Sequence, residues 1–177
     1  WGYSNHDVAD GIHRPLRASC LTVSDLSEKI NLTLLGLDLM VWLSREDEEG
    51  IRIPLEKEFN LIPGTLITHL SHSHGAPFTD PLLADAPGGH LIQGYRKQIL
   101  KTCRQLLSEA FENRKMCVLS WGIGRCSLAF NRDLILPETG EAVVGINPFI
   151  PADDTLIVGR IVEQSGIHFA SLVHYAA

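Results

Sequence analysis

The sequence has little of what marks several common classes of protein. Four of its 177 residues are cysteines and none belongs to a C-x-x-C pair, so neither a zinc knuckle nor a dense disulfide framework is indicated. The longest apolar run, Leu32 to Leu43, is too short for a membrane-spanning helix and contains Asp38. The net charge is −6 and long basic runs are lacking, which argues against nucleic acid as a partner.

What is present is the composition of a folded protein. Apolar residues make up 45% and charged residues 20% of the chain, values that are ordinary for globular domains. A chain of 177 residues is long enough to bury a core. We therefore expect one domain over residues 1–177. Because the chain begins at Trp1 rather than Met, we expect processing or truncation at this end.

Hydrophobic patterning predicts strands that alternate with helices at first and a run of strands later. A helix is predicted from Ser44 to near Asn60, and a clearer one from Leu91 to Ala110, where apolar residues recur at helical spacing. Strands are predicted at Ala18 to Val23, Ile30 to Val41 (buried on both faces), Leu66 to His72, Met116 to Gly122, Thr155 to Val162 and Ile167 to Val173. This order predicts an α/β fold, or a layered α+β one, with a mixed sheet and flanking helices.

The densest group of chemically useful side chains is a histidine cluster. His69, His72 and His74 fall within six positions. Alternation along the predicted strand places His72 and His74 on one face and His69 on the other, at the strand end where α/β folds usually build sites. An H-x-H pair can supply two zinc ligands, or one ligand and a proton shuttle. On spacing alone, this use and two structural histidines are equally supported, and His69 is better explained as a structural residue.

Two further polar side chains follow or interrupt predicted strands. Arg132 follows a strand predicted at Ser127 to Phe130 and could present a forked cation to an oxyanion. The simpler explanation is a surface ion pair with Asp133. Asp38 interrupts an apolar strand, and a buried carboxylate must be hydrogen-bonded or paired. It could orient a ligand histidine or bond to the backbone, and both explanations are equally open.

In the order and spacing of these residues, the chain resembles the neutral/alkaline non-lysosomal ceramidases. The resemblance is sharpest at His72-Ser73-His74-Gly75-Ala76-Pro77, which is similar to that family's H-T-H-S-G-P. His174 stands where the family commonly has Asn. The other matching positions, in chain order, are Gly2-Tyr3, Gly11-Ile12-His13, Arg17-Ala18, Leu37-Asp38, Asn131-Arg132, Asp153 or Asp154, and Tyr175-Ala176.

The resemblance implies a zinc amidohydrolase that converts ceramide to sphingosine and fatty acid. It implies that His72 is the first zinc ligand, that His74 is the general base and that Arg132 holds the oxyanion. The family's second zinc histidine would fall directly after Ala177, with glutamate and tyrosine ligands further on. We therefore expect this chain to be a partial catalytic domain, inactive or poorly active by itself, because catalytic zinc takes about three protein ligands.

The resemblance also implies the surroundings in which the protein works. Its substrate would be a lipid-like amide, ceramide or an analogue, met at a membrane surface, and many members of the family are exported or attached to the cell surface. Two alternatives stay open. One is a hydrolase that keeps the metal chemistry but acts on another amide or ester. The other is a non-catalytic domain that binds lipid or a partner through the loop Gly75 to Gly89.

Overall fold

The computed structural model describes residues 11–27 and 31–176, so the Gly2-Tyr3 match lies outside the described residues. The chain divides into two compact units, residues 1–114 and residues 115–177. One domain over residues 1–177 stays a prediction.

The first unit contains a three-stranded mixed sheet. Its strands are β1 (Ala18–Ser24), β2 (Asn31–Leu37) and β3 (Leu66–Leu70), in the order β1-β2-β3. β1 pairs with β2 antiparallel, and β2 pairs with β3 parallel in a register that sets Leu37 beside Leu70. The carboxyl ends of β2 and β3 therefore meet at the same edge of the sheet.

Two helices accompany this sheet. α1 (Arg45–Glu58) begins after Ser44, whose hydroxyl accepts a hydrogen bond of 3.1 Å from the Asp47 amide, as the sequence predicts for a capping serine. α2 (Ile92–Glu112) follows two short 3₁₀ turns at Pro81–Leu83 and Gly89–Leu91. None of the helices in the described part of the chain is both long and apolar enough to cross a membrane.

The core of the first unit lies between the helices and one face of the sheet. Burial along β2 alternates: Leu35 and Leu37 are buried, whereas Leu34 before them and Gly36 between them are half-buried. The burial on both faces predicted for this strand is thus complete on one face only. The apolar side chains that form the core come from both helices and from β2 and β3, and they are Leu35, Leu37, Leu39, Ile51, Leu55, Leu66, Ile99, Cys103 and Leu107.

The second unit is built from antiparallel strands. β4 (Cys117–Arg125), β7 (Thr155–Glu163) and β8 (His168–Tyr175) form one sheet in the order β4-β7-β8. β5 (Asp133–Ile135) and β6 (Ala142–Val144) form a separate hairpin, with Gly140 at a φ of +71° in its turn. The helices together with these mixed and antiparallel sheets confirm the predicted α/β class.

The strand predicted at Ser127 to Phe130 is wrong, because this segment is irregular. The side chain of Tyr175 makes the hydrogen bonds that a neighbouring strand would otherwise make. The Tyr175 hydroxyl accepts a hydrogen bond of 2.7 Å from the Ala129 amide and donates one of 2.9 Å to the Cys126 carbonyl. The Ala129 amide and the Cys126 carbonyl therefore find a partner without a neighbouring strand.

Leu55→Ala is expected to lower the free energy of unfolding by about 2–5 kcal/mol, since it leaves a cavity under a side chain with 0% exposure. Leu82→Ala is the matched control, because Leu82 is 82% exposed, and it should change that free energy by less than about 0.5 kcal/mol. Urea unfolding followed by circular dichroism measures both variants. Equal effects would contradict the position of the core.

Candidate functional site

The candidate site is the loop of residues 71–80, here called the histidine loop, which follows β3. The Ser71 amide donates to the Leu37 carbonyl at 3.1 Å, and the Ser73 amide donates to the Leu39 carbonyl at 3.2 Å. The loop thus continues alongside the segment that leaves β2. The parallel pairing of β2 and β3 is what brings these two segments together.

His72 lies in this loop and not on the strand, because β3 ends at Leu70. The expectation that His72 and His74 share a strand face is therefore wrong in detail. The backbone of His72 has a φ of +56°, in the left-handed region that residues other than glycine rarely adopt. Such a conformation costs about 1–3 kcal/mol and is found where the surroundings enforce it, often at functional sites.

One nitrogen of the His72 ring is fixed by the main chain. Its Nδ1 lies 2.9 Å from the Met40 carbonyl oxygen. Because a carbonyl can only accept, Nδ1 carries the proton, and in the neutral ring the lone pair is then on Nε2. A histidine whose Nδ1–H bonds to a backbone carbonyl is oriented in the way that metal-binding histidines usually are. Nε2 is therefore the nitrogen of His72 that could accept a proton or a cation.

His74 lies beside His72. The two ring centroids are 4.9 Å apart and the rings meet edge to face at 84°. Both side chains are exposed, so both can be reached from solvent. The loop turns after them, since Ser73 accepts hydrogen bonds from the amides of Gly75 and Ala76. The structure thus brings together the two histidines that the sequence singled out, while His69 lies apart from them on β3, exposed.

Asp38 lies directly after β2 and links three segments. Its carboxylate accepts a hydrogen bond of 2.8 Å from the Arg17 amide and another from the Ser71 side chain. These two hydrogen bonds hold the pKa of Asp38 below its usual range, and the one from the Arg17 amide has the larger effect. Asp38 therefore fixes the residue that precedes His72. A direct role for Asp38 in orienting a ligand histidine stays a prediction.

A cavity of about 1070 Å³ adjoins the histidine loop, which lines it with Ser73, Gly75 and Pro77. Its other walls come from the end of β2, from α2 and from residues 11–18. Leu39 and Ile99 contribute apolar surface to these walls, whereas Arg14, Arg17 and Asp38 contribute charged residues, so the loop borders a space with both apolar and charged walls. Sequence patterning does not reveal such a space, because its walls are far apart along the chain.

Arg132 belongs to the second unit, where its side chain is exposed. Its carbonyl accepts hydrogen bonds from the amides of Leu134 at 3.1 Å and Gly145 at 2.8 Å. The buried Asn147 side chain donates to the Asp133 carbonyl at 2.8 Å. These bonds hold the backbone of Arg132 at the start of the β5–β6 hairpin. Its part in binding an oxyanion stays a prediction.

Two thiols are poor candidates for nucleophilic chemistry, that of Cys20, which is half-buried, and that of Cys103, which is buried. Burial raises the pKa of Cys20 to about 11 and that of Cys103 to about 12. The thiolate is the reactive form of cysteine, and at neutral pH these two residues hold almost none of it. This agrees with the sequence, in which the cysteines have no convincing catalytic partner.

The described part of the chain does not bring together a complete set of metal ligands. Residues 11–27 and 31–176 contain no group of three or more His, Cys, Asp or Glu side chains placed to hold one ion. The donors that do lie together are the imidazoles of His72 and His74. They suit zinc in kind, but fall short of the three protein ligands of a catalytic zinc.

Two contributions to this site were not found from the sequence. The Met40 carbonyl, which fixes His72, is a main-chain group and leaves no signal in the residue type. Ser71 also contributes, through its bond to Asp38. Its position directly before the histidine pair was the one available clue.

Asp38→Asn is expected to lower stability at pH 7, because the lowered pKa of Asp38 means that its charged form is favoured in the folded state. That contribution is present above the unfolded pKa of about 3.9 and is lost as the pH falls through the folded pKa. The difference between wild type and variant should therefore shrink below about pH 4. Urea unfolding at several pH values measures it. A difference independent of pH would refute this role, and Ser71→Ala should reproduce part of the loss.

Comparison with known proteins gives a likeness in fold. Neither a family model nor a curated protein sequence matches the chain. The neutral ceramidase from Pseudomonas aeruginosa matches with a TM-score of 0.56 and 13% identity, over 86% of this chain and 24% of that chain. A ceramidase complexed with C2 matches with a TM-score of 0.53 and 15% identity, over the same shares. The chain thus spans about a quarter of these ceramidases, and it has a ceramidase-like fold.

Proposed function

We propose that this chain forms part of the active site of a zinc-dependent amidase of ceramidase type. The observation that carries the proposal is the geometry of His72, whose Nδ1 bonds to the Met40 carbonyl and whose Nε2 is left to bind a metal. The ceramidase-like fold supports the same assignment. The histidine pair also follows a β-strand at a sheet edge, where α/β enzymes usually place their sites.

The reaction would be hydrolysis of an N-acyl amide, as in the conversion of ceramide to sphingosine and fatty acid. Water is added across the C–N bond: the hydroxyl joins the acyl carbon and a proton goes to the nitrogen of the amine. Zinc, when bound, would lower the pKa of a coordinated water and polarise the carbonyl, so that no Ser or Cys nucleophile is needed.

Each side chain has a proposed task. His72 would bind the metal through Nε2. His74, with its ring 4.9 Å from that of His72, would accept the proton of the attacking water and later return it to the amine. Arg132 would donate to the oxygen that gains negative charge. Asp38 would keep the loop in place through Ser71.

The remaining metal ligands would come from residues beyond these two histidines. One ligand and one base do not make a catalytic zinc site, and the ceramidases that share the fold are about four times as long as the matched region, which covers 24% of them. We therefore propose that this chain supplies one part of the site and that further chain completes it.

A lipid-like amide is the proposed substrate. The cavity beside the histidine loop has apolar surface from Leu39 and Ile99 next to charged residues. Its volume of about 1070 Å³ is slightly above the usual range of small-molecule pockets. Such a substrate would be met at a membrane surface, and an exported or surface-attached protein would encounter it there. The rival hypothesis, a non-catalytic domain that binds lipid or a partner, predicts ligand binding without turnover.

In the full-length protein, His72→Ala should abolish tight zinc binding and amidase activity together, because it removes a ligand. His74→Ala should keep the zinc but lower kcat by about 10²–10⁴-fold, as expected for loss of a general base. His69→Ala is the matched control, since His69 is exposed on β3, and it should affect neither. Zinc content by atomic spectroscopy and release of fatty acid from a ceramide analogue are the measurements. Retention of both by His72→Ala would sink the ligand assignment.

The isolated 177-residue chain should bind zinc weakly and show little or no turnover, because its described residues bring only two imidazoles together. Isothermal titration with zinc, compared with the full-length protein, measures the difference. Stoichiometric and tight binding by the isolated chain would show that the missing ligands lie within it. The proposal of a divided site would then be wrong.

A further inference from the structure

The far end of the histidine loop is held by a buried ion pair. Asp47 of α1 is fully buried and Thr79 of the loop is 2% exposed. The Thr79 hydroxyl lies 3.0 Å from both carboxylate oxygens of Asp47 and donates to them. The guanidinium of Arg96, from α2, forms a salt bridge with the same carboxylate. These three residues, the Asp47–Thr79–Arg96 clamp, join both helices to the loop.

Arg96 also binds the main chain on both sides of the clamp. Its Nη1 donates to the Thr79 carbonyl at 3.0 Å, and its Nη2 donates to the Asp47 carbonyl at 3.1 Å. Removing one partner of a buried ion pair leaves an uncompensated charge, which is strongly unfavourable. Thr79 is held by its own hydrogen bonds to this pair. If it moved away from α1, Asp47 would lose the Thr79 hydroxyl and Arg96 would lose the Thr79 carbonyl, and buried polar groups left without these partners are unfavourable.

A glycine in α1 makes room for this arrangement. A Cβ added at Gly50 would lie 2.1 Å from Nη2 of Arg96, which is too close for two non-bonded atoms. Glycine is otherwise unfavourable inside a helix. Its presence at position 50 of α1 (Arg45–Glu58) is explained by the space that Arg96 requires.

The clamp and the β2 contacts enclose the strained histidine between two fixed points. Ser71 is bonded to Leu37 before His72, and Ser73 is bonded to Leu39 after it. Thr79 is clamped at the far end of the loop. Between Ser71 and Ser73, His72 keeps a φ of +56°, and such strain persists only where the surroundings over-determine it. If the clamp were lost, the part of the loop after Ser73 could shift and loosen the bond from Ser73 to Leu39. His72 could then relax its conformation and release the bond from Nδ1 to Met40.

We propose that Asp47, Thr79 and Arg96 are positioning residues that hold His72 in its left-handed conformation, with the proton on Nδ1. The meaning of this for metal binding rests on the proposed function. The effect on the ring itself does not, because it can be measured without any metal.

Thr79→Val keeps the shape of the side chain and removes the hydroxyl that bonds to Asp47. Gly50→Ala leaves the clamp residues intact but displaces Arg96, while alanine favours the helix. Thr79→Ser keeps the hydroxyl and should therefore keep its bond to Asp47. Arg104→Ala is the matched control. Arg104 lies on α2, as Arg96 does, but its ion pair with Glu58 is exposed.

Nitrogen-15 NMR of the imidazole rings in the metal-free full-length protein reports the tautomer of His72. We expect the Nδ1–H form to predominate in the wild type, in Thr79→Ser and in Arg104→Ala. In Thr79→Val and Gly50→Ala we expect a mixture of both tautomers. Zinc titration of the same proteins should then show about 10–100-fold weaker binding for these two variants.

An unchanged tautomer in folded Thr79→Val and Gly50→Ala would overturn the proposal, even if their thermal stability fell. Should Thr79→Val fail to fold, Gly50→Ala decides the question alone. If the wild type bound no zinc, the proposed function would fail, while the tautomer measurement would still test the clamp. If zinc bound normally in variants with a mixed tautomer, the clamp would fix the ring without serving the metal site, and the proposal in its metal-binding form would be wrong.

Discussion

The parallel pairing of β2 with β3 is the constraint on which the candidate site depends. Parallel strands end at the same edge of a sheet, and here that edge brings the segment after Leu37 beside the segment after Leu70. The hydrogen bonds from the histidine loop to Leu37, Leu39 and Met40 all follow from this neighbourhood. An antiparallel pair would have placed the two segments at opposite edges, too far apart for these hydrogen bonds.

The sequence predicted the regular elements well, where side-chain periodicity and capping reinforce each other. α2 was found because apolar residues recur at helical spacing over more than five turns, and α1 because Ser44 precedes an acidic first turn. The sequence also placed His72 and His74 together, but on one face of a strand, whereas both lie in the loop after β3. The strand ends were not predicted. Asp38 and His72 leave the strands for bonds that depend on tertiary structure.

Long-range polar contacts account for most of what the sequence did not reveal. Asp47 and Arg96 are 49 positions apart, and Tyr175 reaches back 46 positions to Ala129. In a single sequence each of these residues is an ordinary charged or polar side chain. Only the fold makes them neighbours, so neither the clamp nor the irregular segment before Arg132 has a signature that patterning could detect. The same holds for the cavity.

The left-handed backbone of His72 would be more stable with another residue at this position. Glycine would adopt a φ of +56° at little steric cost, so the residue that suits the backbone best has no imidazole. Selection for thermal stability alone would therefore tend to replace this histidine, whereas the metal binding proposed for it would require it to stay. A histidine retained at such a position in a longer series of related chains would be a sign that the ring is in use.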